Sequence, residues 1–177
     1  MRPMDSTQRL FSIIQEIHEQ YLEAGADATS VTLNGGGGND TMDGGLGEDY
    51  LYGNEGDDIL RAGSDYIYNF LDGGAGNDKL YGSNGGDYLA GRSGDDVLFG
   101  NGGDDTLSGG LDGHDIMYGG DGDDELFGDD YDEYYGQAGK DTFYVDHDTT
   151  LLGFLGDYYP PYANDQEPGE TLFEGSY

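Results

Sequence analysis

Aspartates that recur every nine residues are the chemically conspicuous feature of this chain. From Gly35 to Tyr144 the sequence divides into twelve units of the form G-G-x-G-x-D-x-U-x, where U is a large apolar residue. The sixth position supplies Asp40, Asp49, Asp58, Asp78, Asp87, Asp96, Asp105, Asp115, Asp124, Asp132 and Asp141. Carboxylates are hard oxygen ligands, and glycine loops leave main-chain carbonyls open to the same use. Flexible all-oxygen coordination of this kind suits Ca²⁺ better than Mg²⁺, which demands a tight octahedron. Other chemistries have little to work with. There is no cysteine, hence no thiol nucleophile and no thiolate metal site. His18, His114 and His147 are isolated, and His18-Glu19 lacks the second histidine of a zinc-protease helix. No carboxylate pair stands out as a glycosidase dyad. A catalytic role is not expected.

The aspartates act together only if the units stack. Each unit has a glycine loop followed by three alternating residues with strand character. Its eighth position is Met42, Leu51, Leu60 and so on to Phe143. One apolar residue per nine cannot form a core by itself, but two facing ladders of stacked strands can. With two units per turn, one side stacks Asp40, Asp58, Asp78, Asp96, Asp115 and Asp132. The other stacks Asp49, Asp87, Asp105, Asp124 and Asp141, with the irregular unit 62–72 between the first two. Parallel strands lie about 4.8 Å apart. Unit charges about 5 Å apart repel by roughly 3 kcal/mol at an effective dielectric of 20. Cations between the carboxylates would remove that cost. Five gaps per side allow up to ten ions, of which six gaps join regular units; units 62–72, 109–118 and 128–135 depart from the repeat.

Composition agrees. The chain has 177 residues, 35 of them glycine, and a net charge of -32. Alone, this reads as disorder; the nine-residue phase argues against it. So acidic a chain excludes nucleic acid, which is bound by neutralising phosphates, and no apolar run is long enough to span a membrane. The flanks are different. Leu10, Ile13, Ile14, Ile17 and Tyr21 form one helical stripe, so a helix is predicted over 6–24, stopped by Gly25. It would cap the open first coil. Residues 1–34 are thus a capping helix and lead-in strand (Thr32-Leu33-Asn34), 35–144 the repeat body, and 145–177 an irregular C-terminal cap. The first twenty residues carry acidic side chains where a secretory signal keeps its apolar stretch, so no N-terminal signal peptide is expected.

The repeat resembles the RTX (repeats-in-toxin, hemolysin-type) calcium-binding nonapeptide family. The resemblance implies a right-handed parallel β-roll, a β-solenoid that is disordered without calcium and folds on binding it. It also implies export from bacteria by a type I system and hence an extracellular location. The expectation is an all-β, non-enzymatic roll of about six two-strand coils, with an N-terminal capping α-helix and an irregular C-terminal cap. Positions seven and nine point outward and are rich in aromatics: Tyr81, Phe99, Tyr118 and Tyr135 on one face, Tyr50, Phe70, Tyr88 and Tyr52 on the other. These faces are candidates for docking a neighbouring domain or a polysaccharide, which makes a surface-binding module the alternative function.

Overall fold

One buried residue per unit makes stacking obligatory, and the chain stacks as parallel strands throughout. The computed structural model describes residues 20–24, 30–146 and 171–175. Its strands run β1 (Tyr21–Glu23), β2 (Thr32–Gly37), β3 (Thr41–Asp43), β4 (Tyr50–Glu55), β5 (Ile59–Arg61), β6 (Phe70–Ala75), β7 (Lys79–Tyr81) and β8 (Tyr88–Ser93). They continue as β9 (Val97–Gly102), β10 (Thr106–Asp112), β11 (Ile116–Asp121), β12 (Glu125–Asp129), β13 (Glu133–Ala138), β14 (Thr142–Asp146) and β15 (Thr171–Gly175). Odd strands up to β13 form one sheet in the order β1-β3-β5-β7-β9-β11-β13. The other sheet runs β15-β14-β12-β10-β8-β6-β4-β2. Each coil contributes one strand to each sheet, which gives a parallel solenoid of about seven turns.

The eighth-position residues align in register. Met42, Leu60, Leu80, Leu98 and Met117 succeed one another in the first sheet. Leu51, Leu71, Leu89, Leu107 and Leu126 do so in the second. All ten are fully buried and form one continuous cluster. Tyr134 and Phe143 close it at the last coil, packed edge to face at 6.1 Å. Irregular units keep this register because their length changes fall outside the three residues that carry the buried position. The two extra residues of 62–72 are accommodated while Leu51 stays opposite Leu71, and Tyr66, Ile67 and Tyr68 are exposed. The extra residue of 109–118 appears as a register shift between Gly110 and Asp112.

Three expectations need correction. The roll has about seven turns rather than six, because a further coil precedes Gly35. At residues 21–23 the predicted helix 6–24 is replaced by β1, where Tyr21, Leu22 and Glu23 pair with Thr41, Met42 and Asp43. Outward, apolar, outward alternation at 21–23 matches the strand half of the repeat, and the edge of β3 offers unpaired main-chain groups. Residues 6–19 of that helix lie outside the described residues. The C-terminal cap is likewise not wholly irregular: Val145 and Asp146 complete β14, and β15 adds to its free edge. Residues 147–170 lie outside the described set.

A core one side chain thick is sensitive to truncation. Leu98→Ala should lower stability in saturating calcium by about 2–5 kcal/mol, whereas Lys79→Ala on the exposed side of β7 should change it by less than about 0.5 kcal/mol. Urea unfolding followed by circular dichroism measures both.

Candidate metal centre

The strands place the sixth-position aspartates in two buried columns, each set in the loop that leads into its strand. Main-chain hydrogen bonds run along each column. In the first, the N–H of Asp40 donates to Asp58 Oδ1 at 2.6 Å, Asp58 to Asp78 at 2.7 Å and Asp78 to Asp96 at 2.7 Å. Asp96 donates to Asp115 and Asp115 to Asp132, both at 2.8 Å. In the second, Asp49 donates to Asn69 Oδ1 at 3.0 Å, Asn69 to Asp87 at 2.7 Å and Asp87 to Asp105 at 2.7 Å. Asp105 to Asp124 at 2.8 Å and Asp124 to Asp141 at 3.0 Å complete it. All eleven aspartates are at most 5% exposed. The structure thus brings together every candidate aspartate, in the two columns predicted, and adds Asn69 as the member contributed by the irregular unit.

The second carboxylate oxygen carries the chemistry. In Asp49, Asp58, Asp78, Asp96, Asp105, Asp124 and Asp141, Oδ2 is buried and has no hydrogen-bond partner. Leaving a buried charged acceptor unsatisfied is costly. Each of these oxygens faces the first glycine of its own loop, and at Gly44, Gly53, Gly100 and Gly119 a carbonyl of the next coil lies close to the same point. A Cβ at Gly44 would lie 2.5 Å from Asp49 Oδ2 and 2.9 Å from the Ala62 carbonyl oxygen. At Gly53 it would collide with Asp58 Oδ2 and the Gly73 carbonyl. At the fourth position Gly56 has φ +126°, and a side chain there would run into the Gly38 carbonyl. Glycine is required here for close approach and for left-handed backbone alike. The outcome is a set of loops in which an orphaned carboxylate oxygen packs against glycine backbone, with a main-chain carbonyl beside it in four of them.

This donor set fits a hard cation, and Ca²⁺ in particular, which accepts mixed carboxylate and carbonyl oxygens in flexible geometry. Among the described residues no three His, Asp or Glu side chains converge on one point. Coordination in these loops would therefore rest on main-chain carbonyls as much as on carboxylates. His114 Nε2 lies 3.7 Å from Glu133 Oε1 on the surface, and His18 and His147 lie outside the described residues.

A second ladder escaped the sequence reading. Fifth-position side chains carry a parallel, exposed series of bonds, from Asp57 N–H to Asn39 Oδ1, Asn77 to Asp57, Asp95 to Asn77 and His114 to Asp95, at 2.9–3.0 Å. The frequent Asn or Asp just before the sixth-position Asp is the signal that could have revealed it. The outward aromatics also form ladders: Tyr81, Phe99, Tyr118 and Tyr135 stack at 5.0, 4.9 and 4.8 Å. Phe70 and Tyr88 stack at 5.2 Å and 1°. Rings stacked this way turn their faces to one another and present edges to solvent, which leaves little face for a sugar. Among the described residues no helix is long and apolar enough to cross a membrane.

Burial pushes Asp58 and Asp132 up to about 6, Asp78, Asp115 and Asp124 to about 7, and Asp96 and Asp105 to about 8. The donated N–H groups pull the other way, and neighbouring carboxylates add to the rise. Folded values above the ordinary 3.8 mean that protons favour the metal-free fold. This contribution is fully present below about pH 4 and is lost as pH rises through about 6–8. Metal-stripped protein should therefore show more strand signal by circular dichroism at pH 5 than at pH 8; the reverse order would contradict the buried columns.

Comparison with known families matches four copies of the RTX calcium-binding nonapeptide repeat, over residues 34–66, 69–98, 81–112 and 110–130. No curated protein matches the chain. The matched segments cover more than half of the sequence and contain every aspartate of the two columns except Asp132 and Asp141. The chain belongs to the RTX calcium-binding nonapeptide repeat family.

Proposed function

We propose that the roll is a calcium-responsive structural module whose aspartate loops bind Ca²⁺ between coils and whose folding depends on that binding. The observation that carries this reading is the series of seven buried Oδ2 atoms without a partner. Calcium, when bound, supplies the positive charge those oxygens lack. The chain's own part is geometric. Glycines at the first and fourth positions let neighbouring coils approach, and the Oδ1 hydrogen bonds hold each carboxylate at a fixed height. The strands set the coil spacing. Without a cation the columns set like charges about 5 Å apart in a desolvated place, so binding free energy becomes folding free energy. Ten divalent ions, the most the stacking allows, would bring the net charge from -32 to about -12.

Extracellular calcium modules bind at about 10⁻⁴–10⁻³ M. Such a roll would stay unfolded where calcium is scarce and fold outside the cell, in keeping with the type I export general to this family. Family membership describes a structural calcium-binding module, and the isolated histidines and evenly repeated carboxylates give no asymmetric pair suited to acid–base catalysis.

Metal-stripped protein at pH 7.5 should gain parallel-strand signal cooperatively as calcium is added, with a midpoint of about 0.1–1 mM. Equal strand content in excess chelator would overturn the coupling. Asp105→Asn should raise the midpoint several-fold and lower the number of ions bound, as measured by isothermal titration calorimetry.

A further inference from the structure

Two of the twelve loops differ from the rest. In ten, the residue at the unit's second position is left-handed, including non-glycine residues such as Asn54 (φ 78°), Arg92 (φ 89°) and Gln137 (φ 73°). All seven aspartates with an orphaned Oδ2 belong to these ten. Ser83 and Asp129 occupy the same position in the other two loops and are not left-handed. In both, the main-chain N–H turns inward. Ser83 N–H donates to Oδ2 of Asp87, and Asp129 N–H donates to Oδ2 of Asp132 at 2.8 Å. The remaining oxygens are engaged as well: Asn69 N–H reaches Asp87 Oδ1 at 2.7 Å, and Asp115 N–H reaches Asp132 Oδ1 at 2.8 Å.

Further groups close these loops. Asn69 Nδ2 donates to Asp87 Oδ1 at 2.9 Å, to the Ile67 carbonyl at 2.8 Å and to Ser83 Oγ at 3.2 Å. Gly85 N–H donates to Ser83 Oγ at 3.1 Å. Asn69, Ser83 and Asp87 are all at most 2% exposed, so this is an interior network. It puts amide hydrogens where a cation would need oxygen. At the other loop the Tyr134 hydroxyl reaches inward from the core and donates to the Asp129 carbonyl at 3.0 Å. That engages a carbonyl lying beside Asp132.

We propose that loops 82–87 and 128–132 are calcium-independent clamps, in which the loop's own N–H groups hold the carboxylate oxygen that seven of the other loops leave for a cation. One clamp divides the second aspartate column between Asp49 and Asp105; the other ends the first column beyond Asp115. Between them they pin coils whose neighbours depend on calcium. Occupancy is therefore below ten ions, and loss of calcium spreads from the open loops toward the clamps.

The inference rests on the open loops being calcium sites, and its test separates the two ideas. The double variant Asn69→Asp, Ser83→Gly restores the repeat residue at both positions, in units 62–72 and 82–90, and should bind at least one more Ca²⁺ per chain than the parent, by equilibrium dialysis. Ser83→Ala keeps the N–H and should leave the count unchanged. Hydrogen exchange followed during calcium withdrawal should find the amides of Asn69, Ser83, Gly85 and Asp87 among the last to lose protection. An unchanged count in the double variant, a lost ion in Ser83→Ala, or clamp amides that exchange with or before those of the open loops would each overturn the clamp. A parent chain that binds no calcium at all would instead overturn the calcium reading; the exchange order under urea would then still decide the clamp.

Discussion

Everything in this roll is arranged around the cost of stacking carboxylates in a dry place. Parallel strands repeat at about 4.8 Å, so any side chain kept in register is repeated at that distance. For Leu or Met this builds a core; for Asp it builds a column of like charges. The same hydrogen bonds that align the leucines align the aspartates. A sequence cannot take the first ladder without the second unless something neutralises it. Main-chain N–H groups satisfy Oδ1 along both columns, and that leaves Oδ2 as the atom whose partner decides whether a coil is stable.

Loop backbone settles which partner that is. In seven of the loops whose second residue is left-handed, Oδ2 is buried without a partner, a place a cation would complete. Where the second residue is not left-handed, as at Ser83 and Asp129, a main-chain N–H completes it. Asn54, Arg92 and Gln137 keep the left-handed form without being glycine, which costs backbone energy. Arg92 has a paired guanidinium, 2.7 Å from Asp72 one coil away. An exposed pair of this kind contributes at most about 1 kcal/mol, so the coil's order rests mainly on its strand pairing and buried leucine.

Much of this was legible in the residues. The nine-residue phase located every strand from 32 to 146, since the apolar eighth position has to face inward wherever the unit recurs. Two units per turn then placed Asp58 over Asp78 and Asp87 over Asp105 with no further information. The departures are at 21–23 and 171–175, which form strands. Leu10, Ile13, Ile14 and Ile17 do have helical spacing, but Tyr21-Leu22-Glu23 also matches a strand half. The exposed edge of β3, which no local propensity contains, favours the strand. β15 pairs for the same reason, at the edge of β14. Asn69 was legible only as a departure from the repeat; its three acceptors come from segments up to 18 residues away.

By itself, then, the sequence determined the periodicity, and with it the solenoid, the identity of the core residues and the existence of two acidic columns, because a repeat of fixed length can bury its one apolar residue only by stacking. The tertiary structure decided what periodicity cannot express: the coil added by β1, the strand recruited at 171–175, and the direction in which each loop turns its N–H. Those outcomes depend on hydrogen-bond partners one coil away, and no unit contains its own neighbour.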